Sequence, residues 1–271
     1  MINPTKSNVA GEEADLERRF GGVRRLYGEA GLARFRAAHV CVIGIGGVGS
    51  WAAEALARNA VGRITLIDLD NIAESNVNRQ LHAIEGEFGK AKVTAMAERI
   101  RAINPNCQVQ EIEDFVTVEN VNAMLGRDFD GVQGFDGVID AIDDARVKAA
   151  IAAYCRTNQL LLVMTGGAGG RFDPTQIKSA DLAKTSGDRL LAKVRTTLRR
   201  DYGFPKEAKA EFVIPCIYSD EPVVRPTELA CDNEDDSITG LSCAGYGSSV
   251  CVTASFGMAA AATILRLLLK L

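Results

Sequence analysis

Three glycines set the first chemical constraint. The stretch CVIGIGGVGS, residues 41–50, places Gly44, Gly46 and Gly49 in a G-x-G-x-x-G pattern after a short apolar run, with Gly47 beside them. In such a loop the first glycine permits a tight turn out of a strand. The second lets a phosphate approach the backbone, and the third lets the following helix pack against the strand. That helix start offers free N–H groups and about half a positive charge to an anion. Asp68 follows Gly49 by 19 residues, where a carboxylate can bind ribose hydroxyls. Asp70 completes a D-x-D pair and joins the same binding set. Strand, loop, helix, strand and acid in register predict a nucleotide site.

The next segment decides which nucleotide. Asn76, Arg79 and Gln80 lie in a polar loop after the second strand, and Lys90 and Lys92 open the next helix. A hydride-transferring enzyme has little need for such a cationic cluster near a ribose. A nucleoside triphosphate does need it, because departing pyrophosphate spreads negative charge onto the leaving group. Arg79 and one lysine could stabilise that charge, and losing one such contact commonly costs ~3–4 kcal/mol of barrier. One of Lys90 and Lys92 is that lysine and the other a solvated helix residue. Asp140, Asp143 and Asp144 end a further strand, on the ligand side of this architecture. A carboxylate there can hold Mg²⁺ against phosphates. Asp143 is assigned that role and Asp140 a scaffold role, with helix capping the alternative for Asp144.

The elements that must position these residues alternate. Segments 39–44, 62–70, 107–114, 136–143 and 159–165 read as strands, with helical patterns over 46–61, 89–105 and 145–158 between them. That rhythm predicts an α/β fold with a doubly wound, mostly parallel, Rossmann-like sheet. A C-terminal extension is expected to complete the sheet and end in a closing helix. The boundaries are a helical arm over 1–38, a nucleotide-binding domain over 39–165 and a C-terminal substrate and dimerisation part over 166–271. The last two form one continuous unit.

Composition narrows the class. The 271 residues are 47% hydrophobic with a formal net charge of −4, so the chain as a whole is no basic nucleic-acid binder. A local patch remains: eight basic residues and three acids fall between Lys184 and Lys209. Lys193, Arg195, Arg199 and Arg200 are its candidate RNA contacts, against the plain reading of a solvated helix face. Arg18, Arg19, Arg24 and Arg25 form a second candidate patch, and DNEDDS at 232–237 would repel RNA. The seven cysteines include no C-x-x-C pair, which points to a reducing cytosol and away from a four-cysteine zinc site. Cys216, in a loop-like IPCIYSDE segment, is the candidate reactive thiol against a buried packing role. Of the two histidines, His39 begins a strand and His82 is either near the nucleotide loop or structural. Residues 237–265 carry no charge; a buried or dimer-interface helix is preferred over a membrane span, with membrane association left open.

GIGGVGS, DLDNIAESNVNRQ, GKAK and DAIDD together resemble the adenylation domain of the ubiquitin-activating-enzyme-like superfamily. The resemblance implies ribose binding by Asp68, phosphate and transition-state contacts from Asn76, Arg79 and Lys92, and Asp143 on the magnesium side. Two features depart from the sulfur-carrier activators of that group. Paired zinc cysteines are absent, and the N-terminal R-[YF]-x-R motif reads RFGG at Arg19–Gly22, leaving open whether Arg24 or Arg25 substitutes. RFGGVRRLYGEAGL, GIGGVGSWAAEALAR, EDFVTVENV, VIDAIDDARVKAAIAAYC, TGGAGGRFDPTQI, DLAKT and VTASFG are similar to the tRNA threonylcarbamoyladenosine dehydratase subfamily. That narrower resemblance implies ATP and Mg²⁺, adenylation of a threonyl carboxylate in modified tRNA, and ring closure with release of AMP. It also implies a cytoplasmic homodimer and a cysteine-desulfurase sulfur system as a further partner. The competing readings are an activator of a sulfur-carrier or ubiquitin-like protein, an NAD-dependent dehydrogenase, and a nucleotide-sensing scaffold without turnover.

Overall fold

A computed structural model describes residues 15–126, 128–129, 132–207, 210–224 and 246–270. Lys209, Cys231, Cys243 and the acidic 232–237 segment lie outside the described residues. The chain opens with helix α1 (Leu16–Ala37), capped by Asp15, whose carboxylate accepts from Arg18 N–H; Gly28 breaks it with φ 76° and ψ 172°. Strand β1 (His39–Ile43), helix α2 (Gly49–Arg58), β2 (Arg63–Ile67), α3 (Lys92–Ile103) and β3 (Gln108–Ile112) follow. A short helix α4 (Val121–Leu125) leads to a small hairpin, β4 (Asp128–Phe129) and β5 (Val132–Gln133). Then come β6 (Gly137–Asp140), α5 (Ala145–Thr157), β7 (Leu161–Thr165), β8 (Ile177–Asp181), α6 (Arg189–Asp201), β9 (Pro215–Ser219) and α7 (Val250–Leu268).

Seven strands form one sheet in the order β3-β2-β1-β6-β7-β9-β8. All neighbours are parallel except β8, which runs antiparallel to β9 and closes the edge. The polypeptide after residue 165 therefore shares the sheet of the first part. Strand β8, helix α4 and the β4–β5 hairpin are elements that the sequence pattern does not announce.

Strand β1 is buried at all five positions, as a central parallel strand covered on both faces should be. Alternation along it feeds two cores. Val40 and Val42 face the apolar cluster of α2, α3 and α7, whereas Cys41 and Ile43 face that of α4, α5 and α6. Helix α7 is long and apolar enough to cross a membrane, with a mean hydropathy of 1.6, yet half of it is buried within the protein. Phe256, Ala260, Ala261, Ile264 and Leu268 all lie in the first core.

Candidate functional site

Strand order reverses direction between β1 and β6, and a cleft of about 540 Å³ opens at the carboxyl ends of the strands around that point. Gly44, Gly46 and Gly47 line its floor. Gly44 leaves β1 with φ 84°, a left-handed conformation natural to glycine. A Cβ on Gly49 would lie 1.8 Å from the carbonyl oxygen of Gly44, so the third glycine is fixed by the closeness of loop and helix. Gly46 has no such conflict: its nearest neighbour, Gln80 Nε2, would be 3.9 Å away. The room beside Gly46 belongs to the cleft.

Asp68, at the end of β2, holds this loop in place. Its Oδ2 accepts from Ile45 N–H at 2.6 Å and its Oδ1 from Asp70 N–H at 2.9 Å. Burial pushes its carboxyl above the usual range, against the opposing pull of the Lys92 ammonium and the two N–H bonds. Lys92 is only 5% exposed, with Nζ 2.6 Å from Asp70 Oδ2 and 3.8 Å from Asp68 Oδ1. Lys90 instead pairs with Glu87 and Glu98 and lies outside the cleft lining.

Arg79 lines the cleft, half-buried, its guanidinium donating to Ser75 O at 2.6 Å and Asn78 Oδ1 at 2.9 Å. Its own carbonyl accepts from Trp51 Nε1 at 3.1 Å and from Thr253 Oγ1 at 3.5 Å. Helices α2 and α7 thus anchor the backbone from which the guanidinium projects. Asn76 has a different place from the expected nucleotide contact. It is buried, its Oδ1 accepts from Ala73 N–H at 3.1 Å, and it lies outside the cleft lining, so it shapes the turn that carries Arg79.

The three acids after β6 divide cleanly. Asp140 is fully buried and pairs with the equally buried Lys148 at 2.8 Å. Asp144 caps α5, accepting from Arg146 N–H and Val147 N–H. Asp143 is exposed and lines the cleft, with no hydrogen bond or ion pair among the described residues. Gln80, from the polar loop, lines the cleft too, and so do residues that sequence reasoning passed over: Arg171, Asp188, Arg189, Tyr246 and Thr253. The one signal for them was the glycine-rich run 166–170 after β7, which ends directly before Arg171.

Several expectations are corrected. Cys216 lies inside β9, wholly buried, with Sγ directed at Ile214 O, and burial pushes its thiol well up. It is a packing residue, the less nucleophilic of its two readings. The basic stretch is no uniform RNA-facing patch. Arg195 donates to Thr185 and Leu182 O, and Arg199 donates to Pro205 O and stacks 5.3 Å from the Phe212 ring centroid. Arg200 pairs with Asp201 and Lys184 with Glu211; Lys193 remains exposed. His82 is buried outside the cleft lining, with neither ring nitrogen hydrogen-bonded. In the N-terminal arm, Arg19 donates to Ala102 O and Ile103 O, the last carbonyls of α3, and Arg24 pairs with Glu17.

Similarity to known proteins agrees with this geometry. The chain is 49% identical over 253 residues to the tRNA threonylcarbamoyladenosine dehydratase of Escherichia coli K12, covering 92% of each. It is 48% identical over 257 residues to the Haemophilus influenzae protein of the same name, covering 94% of this chain and 95% of that one. The crystal structure of the E. coli tRNA N6-threonylcarbamoyladenosine dehydratase in complex with ATP superposes with a TM-score of 0.84 at 47% identity, covering 95% of this chain and 96% of that one. The ThiF family profile matches residues 20–271, and the chain belongs to the ThiF family.

Proposed function

We propose that this chain is an ATP-dependent tRNA-modifying enzyme that adenylates the threonyl carboxylate of N6-threonylcarbamoyladenosine and closes it to the cyclic, dehydrated form. The observation that carries this reading is the near end-to-end likeness to the ATP-bound E. coli dehydratase. A cleft that combines a glycine floor with Arg79, Lys92 and Asp143 supports it.

In the first step a carboxylate oxygen attacks the α-phosphorus of ATP. The bond from that phosphorus to the bridging oxygen breaks, and pyrophosphate leaves with the electron pair. Gly44, Gly46 and Gly47 receive the phosphates against the start of α2. Asp68 and Asp70 face the ribose end, and Arg79 and Lys92 hold the charge that grows on pyrophosphate. In the second step an atom of the same modified base attacks the acyl carbon, its group releasing a proton to solvent, and AMP leaves carrying the former carboxylate oxygen. That oxygen is the water lost in the net dehydration. Such an intramolecular attack has a very high effective molarity, so no external nucleophile is required. The burial of Cys216 agrees with that economy.

The implied Mg²⁺ fits the residues present. Asp143 offers a carboxylate with no partner among the described residues, and no group of three or more His, Cys, Asp or Glu gathers there. An ion held by one carboxylate and phosphate oxygens needs no more. When bound, it offsets the charge of the triphosphate.

The chain is assigned to the cytoplasm as a homodimer, and a cysteine-desulfurase system remains a proposed partner. The apolar groove between Leu26, Tyr27, Ala259 and Ala262 supports a second copy of the chain. Packing of α7 into the core argues against a span.

The test uses labelled ATP with tRNA bearing the modified base, with a carrier protein ending in Gly-Gly, or with neither. AMP formed only with the modified tRNA is the expected result. AMP formed only with the carrier protein would overturn the reading in favour of an activator.

A further inference from the structure

The cleft continues past the β1/β6 reversal to the end of β7, where Gly166, Gly167, Ala168 and Gly169 form its wall. One buried carboxylate organises that end. Asp188 caps α6 with Oδ1, which accepts from Leu191 N–H at 2.9 Å. Its Oδ2 accepts from Gly167 N–H at 2.9 Å and faces Arg171 Nη2 at 3.4 Å. Arg171 is 3% exposed and also donates to Gly167 O and Glu221 O. Any Cβ on Gly166 would lie 2.3 Å from Asp188 Oδ2, so loop and helix start meet without room for a side chain. The backbone of the next residue, Arg189, is fixed by this arrangement. Its side chain lines the cleft, is exposed, and has no hydrogen bond or ion pair among the described residues.

Charge gives that side chain a task. Among the described residues, Asp68, Asp70, Asp114, Asp143, Asp144 and Asp188 line the cleft against four cations: Arg79, Lys92, Arg171 and Arg189. Three of the four are committed. Arg171 is sealed against Asp188, while Lys92, beside Asp70, and Arg79, held by Ser75 O and Asn78, are assigned to the triphosphate. An anionic nucleophile entering beside a triphosphate meets this excess of carboxylates, and Arg189 is the uncommitted cation available to it. A guanidinium fork matches a carboxylate in two parallel bonds.

We infer that Arg189 receives the carboxylate of the modified base and delivers it to the α-phosphate end of the cleft, with the Arg171–Asp188 pair as its positioning support. The inference rests on the proposed adenylation of a threonyl carboxylate. It makes Arg189 a specificity residue: it distinguishes tRNA carrying the free acid from tRNA whose modification lacks the charge.

The experiment uses the full chain with a saturating α,β-methylene analogue of ATP, which cannot be cleaved to AMP. Binding is measured for an anticodon stem-loop RNA carrying the modified base and for the same RNA with the carboxylate as its methyl ester. Wild type is expected to prefer the acid by ~10- to 100-fold, the scale of one charged hydrogen-bonded contact. Arg189→Ala is expected to bind both RNAs alike, at the affinity of the ester, and Arg189→Lys to keep part of the preference. An undiminished preference in Arg189→Ala, or no preference in wild type, overturns the inference. Multiple-turnover AMP release from ATP and modified tRNA by wild type is measured alongside. Its absence would remove the underlying reaction, whereas its presence with an unaltered Arg189→Ala preference removes only the role of Arg189.

Discussion

Lys92 Nζ lies 2.6 Å from Asp70 Oδ2 and 3.8 Å from Asp68 Oδ1, in a setting that leaves the lysine 5% exposed. The ammonium is what opposes the burial that lifts the Asp68 carboxyl. Lys92→Ala should therefore do two things. Turnover should fall ~100- to 1000-fold, the usual loss for one preorganised electrostatic contact. The acid limb of the pH–rate profile should also move to higher pH, because Asp68 loses its cation and holds its proton longer. An acid limb unmoved by the substitution would detach Asp68 from this lysine.

Arg79 separates stability from catalysis. Among the described residues its guanidinium bonds to Ser75 O and Asn78 Oδ1, on its own turn, while its carbonyl carries the contacts from Trp51 and Thr253. Arg79→Ala keeps that carbonyl, so the melting temperature should shift by no more than a few degrees, about 1 kcal/mol. AMP formation should fall ~100-fold or more. Thermal unfolding and single-turnover kinetics on one preparation check both halves. Wild-type-like turnover would remove Arg79 from the mechanism.

The contrast between these two residues and their neighbours explains what the sequence made legible. Gly44, Asp68 and Asp143 each follow a strand of the alternating pattern by no more than three residues, and Arg79 and Lys92 lie in the polar loop after β2 and at the start of the next helix. A parallel sheet brings such strand ends together wherever the pattern holds. The other side of the cleft depends on contacts without local spacing. Thr253 reaches Arg79 from 174 residues away, and Arg171 finds Asp188 across an intervening strand. Strand β8 carries exposed or half-buried residues at all five positions, so it gave no apolar run to read. Composition was also mute about direction: Arg195 and Arg199 count as basic, yet their helix turns them onto Thr185, Pro205 O and Phe212.

The two histidines set an acid limit. Burial is the larger cause that lowers each from 6.5 to about 4, with Arg63 adding to it at His39 and Lys92 at His82. Between these values the unfolded chain binds protons that the folded chain does not, so stability rises with pH across that window and is lost as pH falls through it. Each can contribute up to about 3 kcal/mol at 1.36 kcal/mol per pH unit. Denaturant midpoints should drop steeply between pH 6.5 and 4, and His82→Leu should flatten the slope. A slope unchanged in that variant would exclude His82 as a source.

Asp140 and Lys148 form a pair with no exposed side-chain surface, and Lys148 Nζ also donates to Asp140 O at 3.2 Å. Removing one partner strands a buried charge, which costs ~3–5 kcal/mol, whereas replacing both by apolar groups is often close to neutral. Lys148→Met should lower stability by that amount, and Asp140→Leu with Lys148→Met should recover most of it. Because Asp140 ends the strand that leads to Asp143, the double variant should fold yet turn over poorly. Full activity there would show that the pair serves stability alone.

The glycine loop offers the sharpest separation of fold from function. A methyl on Gly49 would meet the Gly44 carbonyl oxygen at 1.8 Å and its carbon at 2.9 Å, both backbone atoms. Gly49→Ala should therefore displace the loop or the start of α2, with a large loss of melting temperature and of ATP binding together. A methyl on Gly46 meets nothing closer than Gln80 Nε2 at 3.9 Å, so Gly46→Ala should fold normally. It fills the space through which a phosphate reaches the backbone, and ATP affinity should fall ~10-fold or more for the loss of a charged hydrogen-bonded contact. Calorimetric titration with ATP and thermal unfolding of both variants distinguish the two roles. Unchanged ATP affinity in a folded Gly46→Ala would move the phosphates off this loop and return the glycines to a purely structural task.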